Sequence, residues 1–273
     1  MIHGIGPSYP KSRRRLHDRL TLVGTVHRDP AGYSKCVELL RSLSPDLVLV
    51  ELSPFGLFFR KRNGRRLQRT LRGNLEKAAR TRSIMLDQAL IHPEIEAIRI
   101  QLNLPFEYRA AVAYSKETGA DYRLVDSSYF SRRLIESWPD LITTENLEWL
   151  LSSPSHVPPV ATLYQTAARL IRGGNLSSAS GEEPVSPDDH DDDDDAWRAR
   201  EFLLAARINS HLAAPAPSKP VYLGGWTHLT AGGRLPTLRD ILGAEPSRCI
   251  LLPSADPVSR PLASTHWDLS AAR

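Results

Sequence analysis

The sequence predicts a single α/β domain, a central mixed, largely parallel sheet flanked by helices. Three observations carry that prediction. Short apolar runs of strand length alternate with longer segments whose apolar residues recur every three or four positions. The runs LTLVGTV (20–26) and DLVLVEL (46–52) are almost continuously apolar, as strands covered on both faces of a parallel sheet tend to be. The chain has 273 residues, 41% of them hydrophobic, enough for one large domain, and no pattern marks out a second core.

The elements follow in order. Residues 1–19 have basic side chains but neither an apolar centre nor a small-residue cleavage site, so they read as a flexible N-terminal segment and not as a signal peptide. The domain then spans 20–253, with a tail over 254–273. After the first strand, YSKCVELLRSL (33–43) has helical spacing and stops at Ser44-Pro45. With the second strand it forms a strand–helix–strand unit, for which a right-handed crossover is expected. Residues 55–119 are mostly helical in pattern, with breaks expected near Asn63-Gly64, Gly73-Asn74 and Pro93. The helix over 105–117 should end at Gly119, because glycine takes the left-handed cap conformation readily.

DYRLVD (121–126) reads as the third strand, and helices follow over 129–138, 144–152 and 158–172. Residues 173–195 are poor in apolar side chains and rich in aspartate, the composition of a disordered acidic loop. A helix over 196–212 places Leu203, Leu204, Arg207, Ile208 and His211 at helical spacing, and the aspartates before it favour its N-terminus through the helix dipole. Strand KPVYLGG (219–225), a short helix over 236–243 and strand RCILLP (248–253) complete the pattern.

Composition narrows the function classes. No stretch approaches the roughly 18 apolar residues that span a bilayer, so a soluble cytoplasmic protein without membrane contact is expected. The two cysteines, Cys36 and Cys249, suit a reducing compartment and read as buried and inert. The formal charge of +4 is unevenly spread. Ten basic residues from Arg60 to Arg82 stand against one acid, Glu76, while Asp188–Asp195 form an acidic run broken only by His190. The basic block reads as a solvated helix face. Neither interleaved aromatics nor a recognition motif accompanies it, so a nucleic-acid partner is not expected.

Ligands of open α/β sheets bind beyond the carboxyl ends of the strands. Four polar residues fall there: His27 after the first strand, Glu51 at the end of the second, Asp126 at the end of the third and His228 after the fourth. Each has a plainer reading. An arginine of the basic block would serve as partner for Glu51, Asp126 would cap the next helix, and either histidine would be satisfied by backbone. The repeat shifts the balance. Gly24-Thr25-Val26-His27 and Gly225-Trp226-Thr227-His228 both place glycine three residues before histidine, where glycine allows a tight turn and close backbone approach. Two imidazoles and a carboxylate form a first shell suited to Zn²⁺, Mn²⁺ or a similar divalent ion. Gly224, Gly225, Gly232 and Gly233 lack the Walker and G-x-G-x-x-G patterns of a phosphate cradle, and no G-x-S-x-G surrounds Ser127 and Ser128.

With these motifs in hand, the chain resembles the TraB/PrgY/GumN proteins, which are similar to the Tiki metalloproteases. The matching stretches are LVGTVH, SPDLVLVEL, PFEYRAAVAYSKETGADYRLVD, RAREFLLAARI and VYLGGWTHL, in that order from about residue 20 to residue 243. The resemblance implies site roles for His27, Glu51 and His228, for Glu107 on the helix before the third strand, and for Arg200 with Glu201 after it. It departs from the family pattern at Ala199, Ser53 and Ser127, where glutamate, aspartate and arginine are common.

The expected function is hydrolysis of peptides assisted by a divalent metal cation (Mn, Co or Zn). His27, Glu51 and His228 would hold the ion. Glu107 would act as a base or orient a histidine, and Arg200 would steady a developing oxyanion or a substrate carboxylate. The alternative is a non-catalytic protein that sequesters a peptide or signal in the same cleft.

Overall fold

The computed structural model describes residues 19–173, 191–213 and 217–253, with side chains from 194 onward in the second of these stretches. The N-terminal segment to residue 18, most of the acidic loop and the C-terminal tail lie outside the described residues. Five strands form one sheet: β1 (Thr21–Thr25), β2 (Leu47–Val50), β3 (Asp121–Leu124), β4 (Pro220–Gly225) and β5 (Cys249–Leu251). Their spatial order is β3-β2-β4-β1-β5, and every pairing is parallel. The α/β class stands, but the sheet is wholly parallel among the described residues and not mixed. The expected β1–helix–β2 unit is also wider than its sequence implies, because β4 lies between its two strands.

Parallel strands need cover on both faces, and the alternation of side chains decides which residues go where. On one face Val23, Val48, Val50, Val221 and Leu223 pack against α1 (Gly32–Leu43) and α5 (Phe106–Thr118). On the other Leu22, Leu47, Leu49 and Tyr222 meet Leu204, Ile208 and Leu212 of α10 (Asp191–Ala213) and Leu238 and Leu242 of α11 (Leu238–Leu242). The edge strand β3 is half exposed, and the Asp121–Arg123 ion pair lies on it, charge that discourages pairing with another chain.

A third apolar cluster is made by helices alone. Its centre is α2 (Pro54–Thr81), whose Leu67, Leu71 and Leu75 bury one side against α3 (Leu86–Leu90), α4 (Pro93–Leu102), α6 (Ser128–Glu136), α7 (Trp138–Leu141) and α8 (Thr144–Ser152). Trp138, fully buried, meets the Phe59 ring edge to face and lies under the Arg60 guanidinium. The helix runs 28 residues without the expected breaks at Asn63-Gly64 and Gly73-Asn74. The cost of about 1 kcal/mol per helical glycine is offset by the leucine ridge beneath, and Asn74 donates its side-chain amide to the Ile142 carbonyl at 2.7 Å. Ser53 caps its start by accepting from the Gly56 amide at 2.8 Å, with Pro54 in the first turn.

The remaining elements lie near their expected bounds. Helix α5 ends at Gly119 in the left-handed conformation, φ 79°, as expected. Helix α9 spans Val160–Ile171, and α10 starts at Asp191, five residues before the expected 196, so its first turn is built from the aspartate run. Cys36 is fully buried, and Cys249 is only partly so.

Helices α1 and α5 touch where Gly32, the first residue of α1, faces the Phe106 ring. A side-chain carbon on Gly32 would stand 2.4 Å from that ring. Gly32→Ala should therefore destabilise the fold by about 1–3 kcal/mol through overpacking, and displace the start of α5. A denaturant midpoint equal to the parent's would contradict this contact.

Candidate functional site

The register places the two G-x-x-H segments side by side. Gly24 pairs with Gly224 and Thr25 with Gly225, while Val50 pairs with Leu223 on the other flank of β4. The carboxyl ends of β2, β4 and β1 thus adjoin, and Glu51, His228 and His27 leave from three neighbouring strands.

Glu51 leaves β2 on the same face as Leu47, Leu49 and Tyr222 and turns back over the sheet. Its Oε2 accepts from the Gly225 amide at 2.6 Å and the Tyr222 hydroxyl at 3.2 Å. Its Oε1 accepts from Arg200 Nη2 at 2.6 Å and lies 2.9 Å from His228 Nε2. Burial opposes the charge on this carboxylate, but His228 and Arg200 outweigh burial and hold its pKa well below the usual range. The same enclosure beside Glu51 pushes the Tyr222 phenol well up.

The glycines make room for this arrangement. A side-chain carbon on Gly224 would lie 2.3 Å from the Tyr222 hydroxyl and 2.5 Å from Glu51 Oε2, and one on Gly225 would lie 2.8 Å from His27 Nε2. Gly225 has an ordinary φ of −60°, and Gly24 lies within β1 with Trp226 pressed on it, 3.0 Å from the position of a Cβ. The expected tight turn is therefore not the reason for glycine in either motif. Close approach is.

The two histidines sit in different local structures. His228 lies in a 3₁₀ turn (Trp226–Leu229) and is 1% exposed. Its Nδ1 is 2.6 Å from Glu201 Oε1, an ion-pair contact whose angles fall outside hydrogen-bond geometry. The other oxygen of Glu201 accepts the Leu238 amide at 2.6 Å, tying the histidine to the start of α11. Trp197, one helical turn before Glu201 on α10, stacks on the imidazole with centroids 5.4 Å apart and planes within 7°. Burial would lower the pKa of His228, but Glu51 and Glu201 lift it to about 9.

His27 occupies the turn after β1, which Asp29 holds closed. The Asp29 amide donates to the Val26 carbonyl at 2.8 Å, and its buried carboxylate accepts from Lys35 at 2.6 Å and the Tyr164 hydroxyl at 2.7 Å. His27 Nδ1 is 2.7 Å from Glu107 Oε1, and Thr25 donates to that same oxygen at 2.6 Å. Glu107 is 2% exposed and sits in the first turn of α5, where the helix dipole favours a carboxylate; its Oε2 is buried without a hydrogen-bond partner. The surrounding protein would lower the His27 pKa, and Glu107 lifts it to about 9. Half of the side chain (53%) is open to water, which screens part of that lift.

Arg200 joins two carboxylates. It grips Asp126 through Nε and Nη2, each at 3.1 Å, and reaches Glu51 with Nη2. Burial opposes its charge, and the two carboxylates more than restore it. Asp126 also accepts the Ser127 amide at 2.8 Å, and its carbonyl receives Arg207. Arg200 therefore positions Glu51 more than it faces open solvent.

All six sequence-predicted residues fall in one cluster: His27, Glu51, Glu107, Asp126, Arg200 and His228. Pairing of Glu51 with an arginine was correct in kind, but the arginine comes from α10 and not from the basic block. Sequence reasoning assigned no roles from the residues to Thr25, Trp197 and Tyr222, and none beyond resemblance to Glu201. The i, i+4 spacing of Trp197 and Glu201 was the available signal. Among the described residues no three His, Cys, Asp or Glu side chains stand close enough to ligate one ion as they are.

No protein-family model, curated protein or solved structure matches the chain. Fold and site define a class: a parallel α/β protein with a histidine–carboxylate cluster across the ends of its three central strands. Among the described residues no helix is long and apolar enough to cross a membrane.

The elevated histidines have a sign that can be checked. A folded-state pKa of about 9 against an ordinary 6.5 means that the pairing stabilises fully below pH 6.5 and is lost as pH rises through 9. The unfolding midpoint of chelator-treated protein should therefore fall between these limits. A flat profile there would show that His228 is buried in its neutral form. Gly224→Ala should displace Glu51, seen as loss of the raised His228 titration by NMR.

Proposed function

We propose that this protein is a divalent-metal-dependent hydrolase acting on peptides or related small carbonyl substrates. One observation carries the reading. Both histidines rest Nδ1 against a buried glutamate, at 2.7 Å for His27 and 2.6 Å for His228, and present Nε2 to the side where Glu51 lies. A carboxylate behind each imidazole is the arrangement that fixes the tautomer and orientation of metal-ligating histidines.

The donor set fits such an ion in chemistry and in charge. The 2.9 Å between His228 Nε2 and Glu51 Oε1 is the separation of neighbouring ligands around an octahedral ion at about 2.1 Å. The cluster holds four carboxylates (Glu51, Glu107, Asp126, Glu201) and two guanidiniums: Arg200 contacts Glu51 and Asp126, Arg207 donates to the Asp126 carbonyl, and Glu107 and Glu201 lie against the histidines. With neutral imidazoles two formal negative charges remain, which one divalent cation would neutralise. His27 is the member that would have to close in.

A bound Zn²⁺, Mn²⁺ or Co²⁺ would supply Lewis acidity toward a carbonyl and acidify a water molecule. The chain's own groups do the rest. Glu107 and Glu201 orient the imidazoles, each carboxylate lying against the Nδ1 of its histidine. Arg200 keeps Glu51 ionised and aimed. Trp197 and the exposed half of His27 form the rim that a substrate meets. The two free cysteines agree with a reducing, cytoplasmic setting.

A second reading is favoured by the saturation of Glu51, which already takes four donors. In that reading the same cleft sequesters a peptide without cleaving it. Elemental analysis separates the two. Purified protein should carry close to one Mn, Co or Zn per chain, lost in His27→Ala and His228→Ala, and Glu201→Gln should weaken metal binding about 10–100-fold. Peptide-library cleavage should disappear with the metal. Peptide binding that survives His27→Ala, with no cleavage and no metal, would establish the sequestering reading instead.

A further inference from the structure

Arg200 is held behind the cluster by Glu51 and Asp126, so the substrate carboxylate expected to meet it needs another partner. A second guanidinium stands on the open side. His27 and Arg28 are the two central residues of the turn that the Asp29 amide closes on the Val26 carbonyl at 2.8 Å. Both side chains therefore leave the carboxyl edge of the sheet at one place, His27 half open to water and Arg28 half-buried. Arg28 Nη2 donates to the Pro158 carbonyl at 3.0 Å, while Nε and Nη1 take no partner among the described residues and stay open to water. The acids nearest to it are engaged elsewhere. Glu94 accepts from the Ser155 hydroxyl at 3.3 Å and the His156 amide at 2.9 Å, and Glu96 is paired with Arg99 at 3.3 Å. Partial burial works against the charge of Arg28, and Glu94 and Glu96 support it only from beyond contact distance.

We infer that Arg28 receives the free C-terminal carboxylate of a peptide, so that the bond offered to the site is one close to that end. The cleavage half of this inference rests on the hydrolase reading; the capture half does not. A guanidinium fork matches a carboxylate in shape as well as charge. One of its nitrogens is already fixed to a carbonyl in the loop 153–159, which Pro158 and Pro159 stiffen, so the open donors are held in place before a ligand arrives. Partial burial strengthens the pair relative to one in bulk water. Adjacent Cα atoms lie about 3.8 Å apart, and an extended peptide advances about 3.3–3.6 Å per residue. A carboxylate on Arg28 thus brings a carbonyl one or two residues back over His27. The plainer role, a tether between the β1 turn and the loop 153–159, uses only Nη2 and leaves no preference for a charged ligand.

The test titrates the full chain, as purified, with an N-dansyl tripeptide in three forms: the free acid, the C-terminal amide, and an amide whose last residue is glutamate. Fluorescence read before turnover should show the acid bound about tenfold more tightly than the plain amide, the worth of one charged hydrogen-bonded contact. Arg28→Gln, which keeps a donor for the Pro158 carbonyl, should bring the acid-to-amide ratio to about one with an unchanged thermal midpoint. Should that variant fail to fold, Arg28→Lys, a point charge in place of the fork, should lower the ratio part-way. Equal binding of acid and amide, a ratio that the variants leave unchanged, or a glutamate amide bound as tightly as the acid would each overturn the inference. Acid preference without cleavage would keep this role for Arg28 and remove the hydrolase reading. Cleavage of acid and amide at equal rates would do the reverse.

Discussion

Glu51 is the constraint on which the rest of the site depends. It follows four residues that are buried on both sides of a parallel strand, so its carboxylate has nowhere to reach bulk water easily. A carboxylate so placed must be satisfied by donors or be neutralised. The Gly225 amide, the Tyr222 hydroxyl, Arg200 and His228 supply four donors. Each is admitted by something else in the sequence. Gly224 and Gly225 leave the volume, Tyr222 rises from the strand beside β2, and α10 delivers Arg200.

From that centre the polar groups spread outward in pairs. Arg200 carries the charge of Glu51 to Asp126, and His228 carries it to Glu201 and the start of α11. His27 and Glu107 form a separate pair on the β1 side, more open to solvent and less constrained. Charge-assisted contacts of this kind gain strength as water is excluded, and they become costly when one member is removed. The buried half of the cluster is therefore the rigid half, and the His27 side is where a ligand or an ion can be accommodated.

Much of this was legible in the sequence. Apolar runs located all five strands to within two residues, and the paired G-x-x-H motifs pointed to the right strand ends. What the pattern did not contain was strand order. Nothing in LVLV or VYLGG says that the fourth strand enters between the first two, since each reads equally as a central strand. Helix α2 was misread for a related reason: Gly64 and Gly73 are breakers locally, and only the leucine ridge packed beneath keeps the helix whole. The roles of Tyr222 and Glu201 were hidden because neighbours across a sheet, or between a helix and a turn, leave no periodic trace. Of the two uses expected of glycine, a tight turn and close approach, only close approach operates in β4, where Gly224 and Gly225 leave volume for Tyr222, Glu51 and His27.

The order β3-β2-β4-β1-β5 also has a consequence for how the molecule is made. Until residues 220–225 leave the ribosome, β1 and β2 have no common partner, and the gap between them is one strand wide. More than 160 residues separate β2 from the strand that joins it to β1, so closing the sheet waits on one of the longest loops in the chain. A nascent chain that stalls before β4 therefore exposes two apolar strand edges at once, which makes that intermediate a natural client for a chaperone. The same late strand brings Gly224, Gly225 and, just after it, His228. Closure of the fold and completion of the site are one event.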